Sequence, residues 1–261
     1  MKNKLTGTTL VLFFALISLG ARAQFEIGAA GGISVPNLTS SGKESTPLNT
    51  GYKSRLGPEF GLVGEYHFST LFSIEGKILY SAQGGKKDGL QAFTTPPEAA
   101  AYFESQGMQA PPYLYANYNS EAKINYLRIP IQAKVGWDFS DTKAPHFRLS
   151  VAAGPFVGFL LSAKQVTSGN SPIYLDEGGT QQFPGGSQPF NQTTDIKSDL
   201  HSTNFGVDGN LGLAYVFNVN KIFLELGGNY GFLNIQKGSE NGKNNSGAAT
   251  VLLGYTYRLG R

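Results

Sequence analysis

Residues 203–236 read TNFGVDGNLGLAYVFNVNKIFLELGGNYGFLNIQ. Phe205, Val207, Leu211, Leu213, Tyr215 and Phe217 recur at every second position, with Gly209 the one gap. Asp208, Asn210, Gly212 and Ala214 fill the alternate places. After a tight turn over Asn218–Lys221, the same period resumes with Ile222, Leu224, Leu226, Tyr230 and Phe232. A period of two on both sides of a short turn predicts a β-hairpin with one apolar face and one polar or nearly empty face. A soluble sandwich and a membrane barrel both produce this alternation. The remainder of the chain separates them.

Lys2 and Lys4 precede the apolar run Leu10–Leu19, and Ala21-Arg22-Ala23 supplies small residues before Gln24. This predicts a secretory signal peptide over residues 1–23, the run being too short for a spanning helix. The chain has 21 Lys and Arg against 18 Asp and Glu. The leader holds Lys2, Lys4 and Arg22 and no acid, so the other 238 residues carry 18 of each sign. The basic character belongs to the leader, and nothing points to nucleic acid as a partner. There are no cysteines, which excludes disulfides, thiolate metal sites and a lipid on cysteine. High Gly, Tyr and Phe contents (34, 13 and 18 residues) with only 15% charge suit a glycine-rich β-protein with aromatic belts.

Eight alternating segments follow the leader: 25–38, 54–68, 71–83, 122–138, 146–164, the two strands of the hairpin, and 248–259. Pro58 is expected at a bulge or at the outer end of its strand. An even count puts both termini at one end. The three connections there, Ser69-Thr70, 139–145 and 218–221, are short. The four at the other end, 39–53, 84–121, 165–200 and 237–247, are longer. Segregated short turns and long loops mark a membrane barrel, whereas a sandwich has no reason to sort them. Lipid requires every backbone group to be paired, and ring closure achieves this. The expected fold is all-β: an eight-stranded antiparallel transmembrane β-barrel over residues 24–261, in the outer membrane of a Gram-negative bacterium.

In this frame the chain resembles the PorT-like outer-membrane β-barrel family of Bacteroidetes. The resemblance rests on Tyr126-Leu127-Arg128-Ile129-Pro130, Ala153-Gly154-Pro155-Phe156-Val157-Gly158, Phe205-Gly206-Val207, Leu224-Glu225-Leu226 and the AGG stretch Ala30–Gly32. It spans about 25–259 apart from the long loops. It makes an accessory role in an outer-membrane protein complex an expectation, and the barrel itself is expected to contact outer-membrane lipid and lipopolysaccharide.

The polar faces place Glu26, Glu59, Glu65, His67, Glu75, Lys77, Arg128, Lys134, Arg148, Asp208, Glu225 and Arg258 inside the barrel. Such mixed charges suit a plug of ion pairs or an ion path. The plug is the reading taken here, because eight strands leave little lumen. Glu26, Arg258 and Glu225 are expected to cluster where the first and last strands meet. Inward glycines at 28, 32, 206, 212 and 227 keep a narrow channel for small solutes as the alternative. Aromatic rims are expected at Phe72, Trp137, Phe147, Phe217 and Tyr257 on the short-turn side, and at Tyr80, Tyr126, Phe205 and Phe232 on the other.

His67, His146 and His201 have neither metal-ligand spacing nor a marked catalytic partner. No cofactor or metal is expected, and a lipid-modifying enzyme is the weakest alternative. The insertion 165–200 is polar and glycine-rich, as a mobile loop would be. The insertion 84–121 contains a short helical stretch at 99–108 and carries Phe93, Tyr102, Phe103, Met108, Tyr113, Leu114, Tyr115 and Tyr118. That much apolar surface should not stay wet. It either folds over the barrel mouth or docks a protein partner, and the function expected is non-enzymatic partner binding through these external loops.

Overall fold

The computed structural model describes residues 25–40, 45–140, 145–238 and 242–259. The leader lies outside these residues.

Eight long strands close into one antiparallel ring. In chain order they are β1 (Phe25–Ser40), β2 (Gly57–His67), β3 (Phe72–Lys87), β6 (Asn119–Asp138), β7 (His146–Ser168), β11 (Thr203–Phe217), β12 (Asn220–Gly231) and β13 (Asn244–Leu259). Each pairs with the next, β1 closes on β13 from Phe25 opposite Leu259 to Ser40 opposite Asn244, and β6 also pairs with β7. Lipid-side positions such as Leu62, Ile131, Leu211 and Leu253 are exposed, while their sequence neighbours face inward. The β11–β12 hairpin turns through Asn218, whose φ of 55° lies in the left-handed region that Asn tolerates better than most residues. Pro58 sits at the loop end of β2, where its missing donor costs least.

The strands outrun the expected boundaries. The apolar outer face of β3 ends near Tyr80, yet the strand continues to Lys87, paired with a β6 that begins at Asn119. What remains of the first insertion forms β4 (Leu90–Thr94), the helix α1 (Pro97–Ser105) and β5 (Tyr113–Asn117). Helix α1 starts two residues before the predicted 99–108 stretch because Pro97 sits in its first turn, and it ends ahead of Gly107, whose φ is 70°.

The second insertion is not the aperiodic loop its composition suggests. It forms β8 (Asn170–Tyr174), β9 (Gln182–Pro189) and β10 (Gln192–Asp195). Strands β8 and β9 join β4 and β5 in a second sheet, ordered β4-β5-β8-β9. Strand β10 pairs with the outer end of β7, opposite Lys164–Thr167, where β11 no longer reaches. These pairings hide from periodicity because prolines and glycines interrupt the side-chain alternation and the partner strands lie in a different insertion.

Several inward glycines lie where neighbouring backbone approaches closely. A Cβ at Gly32 would strike the Val251 carbonyl oxygen, and one at Gly206 the Tyr230 carbonyl oxygen. Glycine here lets a tightly coiled backbone approach its neighbour. Gly212 and Gly227 face the Ser150 hydroxyl and the Asn210 side chain.

Candidate functional site

Strand register brings Glu26, Glu65 and Glu75 side by side on the inner wall: Glu26 lies opposite Glu65, and Glu65 opposite Glu75. Like charges directly opposite repel, so the row needs cations from across the barrel. Lys134 on β6 reaches Glu75 at 2.5 Å, and Glu65 and Glu225 at 3.4 Å each. Lys221 on β12 binds Glu26 and Glu65 at 2.5 and 2.6 Å. Lys77 bridges Glu75 at 2.8 Å and Glu225 at 2.5 Å. Arg258 meets Glu26 at 2.8 Å. Four carboxylates thus face four cations, and Ser73 and Thr256 donate hydroxyl hydrogen bonds to Glu65 and Glu26. Toward the loop end, Arg128 bridges Glu59 and Asp208, Ser81 donates to Glu59, and Gln132 donates to Asp208. Arg148 lies apart, at the short-turn rim, pairing with Asp138 at 2.8 Å.

The twelve charged residues expected inside the barrel all occupy inward-facing positions, Arg258 with its side chain 40% exposed at the rim. The expected triad at the strand seam is corrected. Arg258 pairs with Glu26, but Glu225 belongs to Lys77 and Lys134, because Lys221 rather than Glu225 reaches the seam. Lys221 is missing from the expected interior because it falls within the predicted turn Asn218–Lys221. Its shared parity with Phe223 and Glu225, both buried, is the signal that marks it as inward.

His67 Nε2 lies 3.1 Å from Glu26 and 3.5 Å from Glu65. The barrel therefore gathers three metal-type donors that sequence spacing separates. The Lys221 ammonium bridges the other oxygens of the same two carboxylates.

Above the charges the interior turns apolar. Leu38, Ile124, Tyr126 and Leu160 pack with Leu200 and Ile235, which reach down from two external connections. Tyr126 is therefore corrected from the outer aromatic rim to the interior, only 3% exposed. It has the parity of Arg128, so its neighbours Leu127 and Ile129 take the lipid side. Trp137, Phe72, Phe147 and Tyr257 do face outward near the short turns, as do Phe205 and Phe232 toward the loops.

A cavity of about 700 Å³ lies between this apolar cluster and strand β4. All four external connections contribute to its wall, through Tyr52, Phe93, Leu200 and Ile235 among others. The second sheet stands beside it, held by aromatic contacts between the two insertions. Tyr118 stacks on Phe190 at 4.7 Å, and Phe93 meets the same ring edge-on at 5.7 Å. Tyr102 and Phe103 of α1 both contact Phe183. Of the loop residues singled out in the sequence, Phe103, Leu114 and Tyr118 are buried. Phe93, Tyr113 and Tyr115 are half-buried, while Tyr102 and Met108 remain exposed.

A closed eight-stranded ring with an ion-paired interior and an apolar outer belt is a transmembrane β-barrel. The chain belongs to the family described as outer membrane protein beta-barrel domain, which matches residues 20–237, and the protein resides in the outer membrane. Among solved structures it is similar to Ail, the attachment invasion locus protein of Yersinia pestis (11% identity, 90% of this chain and 99% of that chain, TM-score 0.36). It is also similar to Neisserial surface protein A (14% identity, 91% of this chain and 98% of that chain, TM-score 0.34). No curated protein matches the chain.

Proposed function

We propose that this protein is a non-enzymatic outer-membrane barrel that binds a protein partner through its external sheet, as an accessory or structural subunit of an outer-membrane assembly. The resemblance to the PorT-like family favours the same reading. The observation that carries it is the contrast between the two ends of the interior. The lumen is filled by charges that neutralise one another, while the two insertions build an ordered platform instead of closing the barrel with short turns. Loops of this length are uncommon without a function. On the platform, β4 is an edge strand with one side unpaired within its sheet, and Tyr102, Met108 and Leu90 stay exposed nearby. Aromatic residues and Met are enriched in interface cores.

The test is purification of the native protein in mild detergent, followed by mass spectrometry of co-purifying proteins. It is compared with a variant in which Leu90–Asn117 is replaced by a short Gly/Ser link. A stoichiometric companion is expected with the intact protein and not with the shortened one, both barrels being folded. A lone barrel in both preparations would overturn the proposal.

The ion-paired interior carries a second expectation. In planar bilayers the purified protein should give no steady conductance at neutral pH. Regular open-channel steps that change size with Arg128→Gln would replace this reading with the narrow channel.

A further inference from the structure

The cavity at the barrel mouth has the features of a ligand site that neither the barrel fold nor partner binding requires. Its volume, about 700 Å³, is that of a small-molecule site, and its lining divides by chemistry. Leu38, Ile124, Leu200 and Ile235 give it an apolar side, and Tyr52, Phe93 and Tyr118 add aromatic rings.

Lys87 is the charged group in the wall that is most deeply set, only 8% exposed. Its ammonium donates to the carbonyl oxygens of Leu48 at 2.7 Å and Pro47 at 3.2 Å, and lies 4.7 Å from the centre of the Tyr52 ring. No carboxylate among the described residues pairs with it. The neighbouring charges are already matched, Lys53 with Asp88 at 2.9 Å and Arg55 with Glu121 at 2.7 Å. Every other deeply buried lysine described, at 77, 134 and 221, has at least two carboxylates. A buried cation without a counter-ion is costly, and an anionic ligand would supply the opposite charge.

We propose that this cavity binds a small organic anion with a flat apolar body, its negative group set against Lys87 and its body between the aromatic rings and the apolar cluster. Two neutral acceptors use two of the three ammonium donors, which leaves one for the ligand. Ser120 and Gln165 also line the cavity, adding polar atoms. The remaining titratable groups on the wall are Tyr52, Tyr118, Asp199 and Lys237. Burial raises the Tyr52 hydroxyl above its ordinary value and pushes Tyr118 up to about 12, so both stay neutral at physiological pH. Burial lowers Lys87 to about 8. Its charge is therefore complete well below pH 8 and is lost as pH rises through that value, and affinity for an anion should begin to fall there.

The probes are 2-naphthoate, ionised throughout this range, and its neutral counterpart 2-naphthalenemethanol. Binding is measured by calorimetry to the full-length protein in lipid nanodiscs, with empty nanodiscs subtracted. Wild type is expected to bind naphthoate more tightly than the alcohol at pH 7. Lys87→Gln should weaken naphthoate by about tenfold or more, the worth of a charged hydrogen bond, and leave the alcohol unchanged. Ala122→Trp, which fills the cavity while keeping Lys87, should abolish binding of both. Should Lys87→Gln disturb the Pro47–Leu48 backbone, wild type alone still decides: naphthoate must bind more tightly than the alcohol at pH 7, and its advantage is expected to shrink as pH rises and Lys87 loses its charge. Absence of naphthoate binding, equal affinity for acid and alcohol, or full binding by Ala122→Trp would each overturn the proposal.

Discussion

Lys134→Met should destabilise the folded barrel by about 3–5 kcal/mol, the cost of removing one partner from a buried ion pair. The side chain reaches three carboxylates, Glu75, Glu65 and Glu225, inside a wall where none of them contacts water freely. Met has a similar reach and fills the same space, so the effect isolates charge from packing. The variant leaves four carboxylates facing three cations. Glu65 keeps Lys221, while Glu75 and Glu225 are left to share Lys77, and of these two Glu75 loses the shorter contact to Lys134, 2.5 Å against 3.4 Å. Adding Glu75→Gln restores the balance and should recover much of the loss. Urea titration of the refolded protein, read as the heat-modifiable band on a gel, gives both values. A single variant as stable as wild type would mean that the Glu row carries no net charge to be balanced.

Gly32→Val should abolish the folded band altogether. Gly32 lies on β1 opposite Leu252 of β13, along the seam that closes the ring. An added Cβ would meet main chain there, the Val251 carbonyl oxygen, and no side-chain rotation relieves that contact. The cost therefore exceeds the about 1–3 kcal/mol typical of an overpacked core. Gly31→Val is the control. It adds the same atoms one residue away on the lipid side, where the nearest contact is the Phe60 Cβ at 3.6 Å. It should fold normally. If both variants assembled alike, the close approach at the seam would not be a constraint on closure.

The ring itself was readable because lipid acts as a solvent on one face and fixed charges occupy the other, so each strand carries a clean period of two. That period placed Trp137 outside and the Glu row inside without any partner being known. Three features were not readable. The external sheet is assembled from strands of two insertions distant in sequence, and Pro172, Pro184 and Gly185 erase the alternation that would announce them. Lys221 stood next to a turn, where its orientation looked undetermined. The inward glycines carry two meanings in a sequence, open space or the close approach of a neighbouring backbone. Register across the whole ring decides between these meanings, and it is not a local property of any strand.

The arrangement of the Glu row also bears on how the protein is built. Strands β1, β2 and β3 bring three carboxylates together while supplying only Lys77 and the His67 imidazole near them. Lys134 arrives with β6, and Lys221 only with β12, the penultimate strand of the ring. The first hairpins are thus an incomplete electrostatic unit that cannot mature alone. Satisfying Glu26 and laying β13 against β1 become a single event, so partly assembled intermediates hold unspent attraction for the strands still missing.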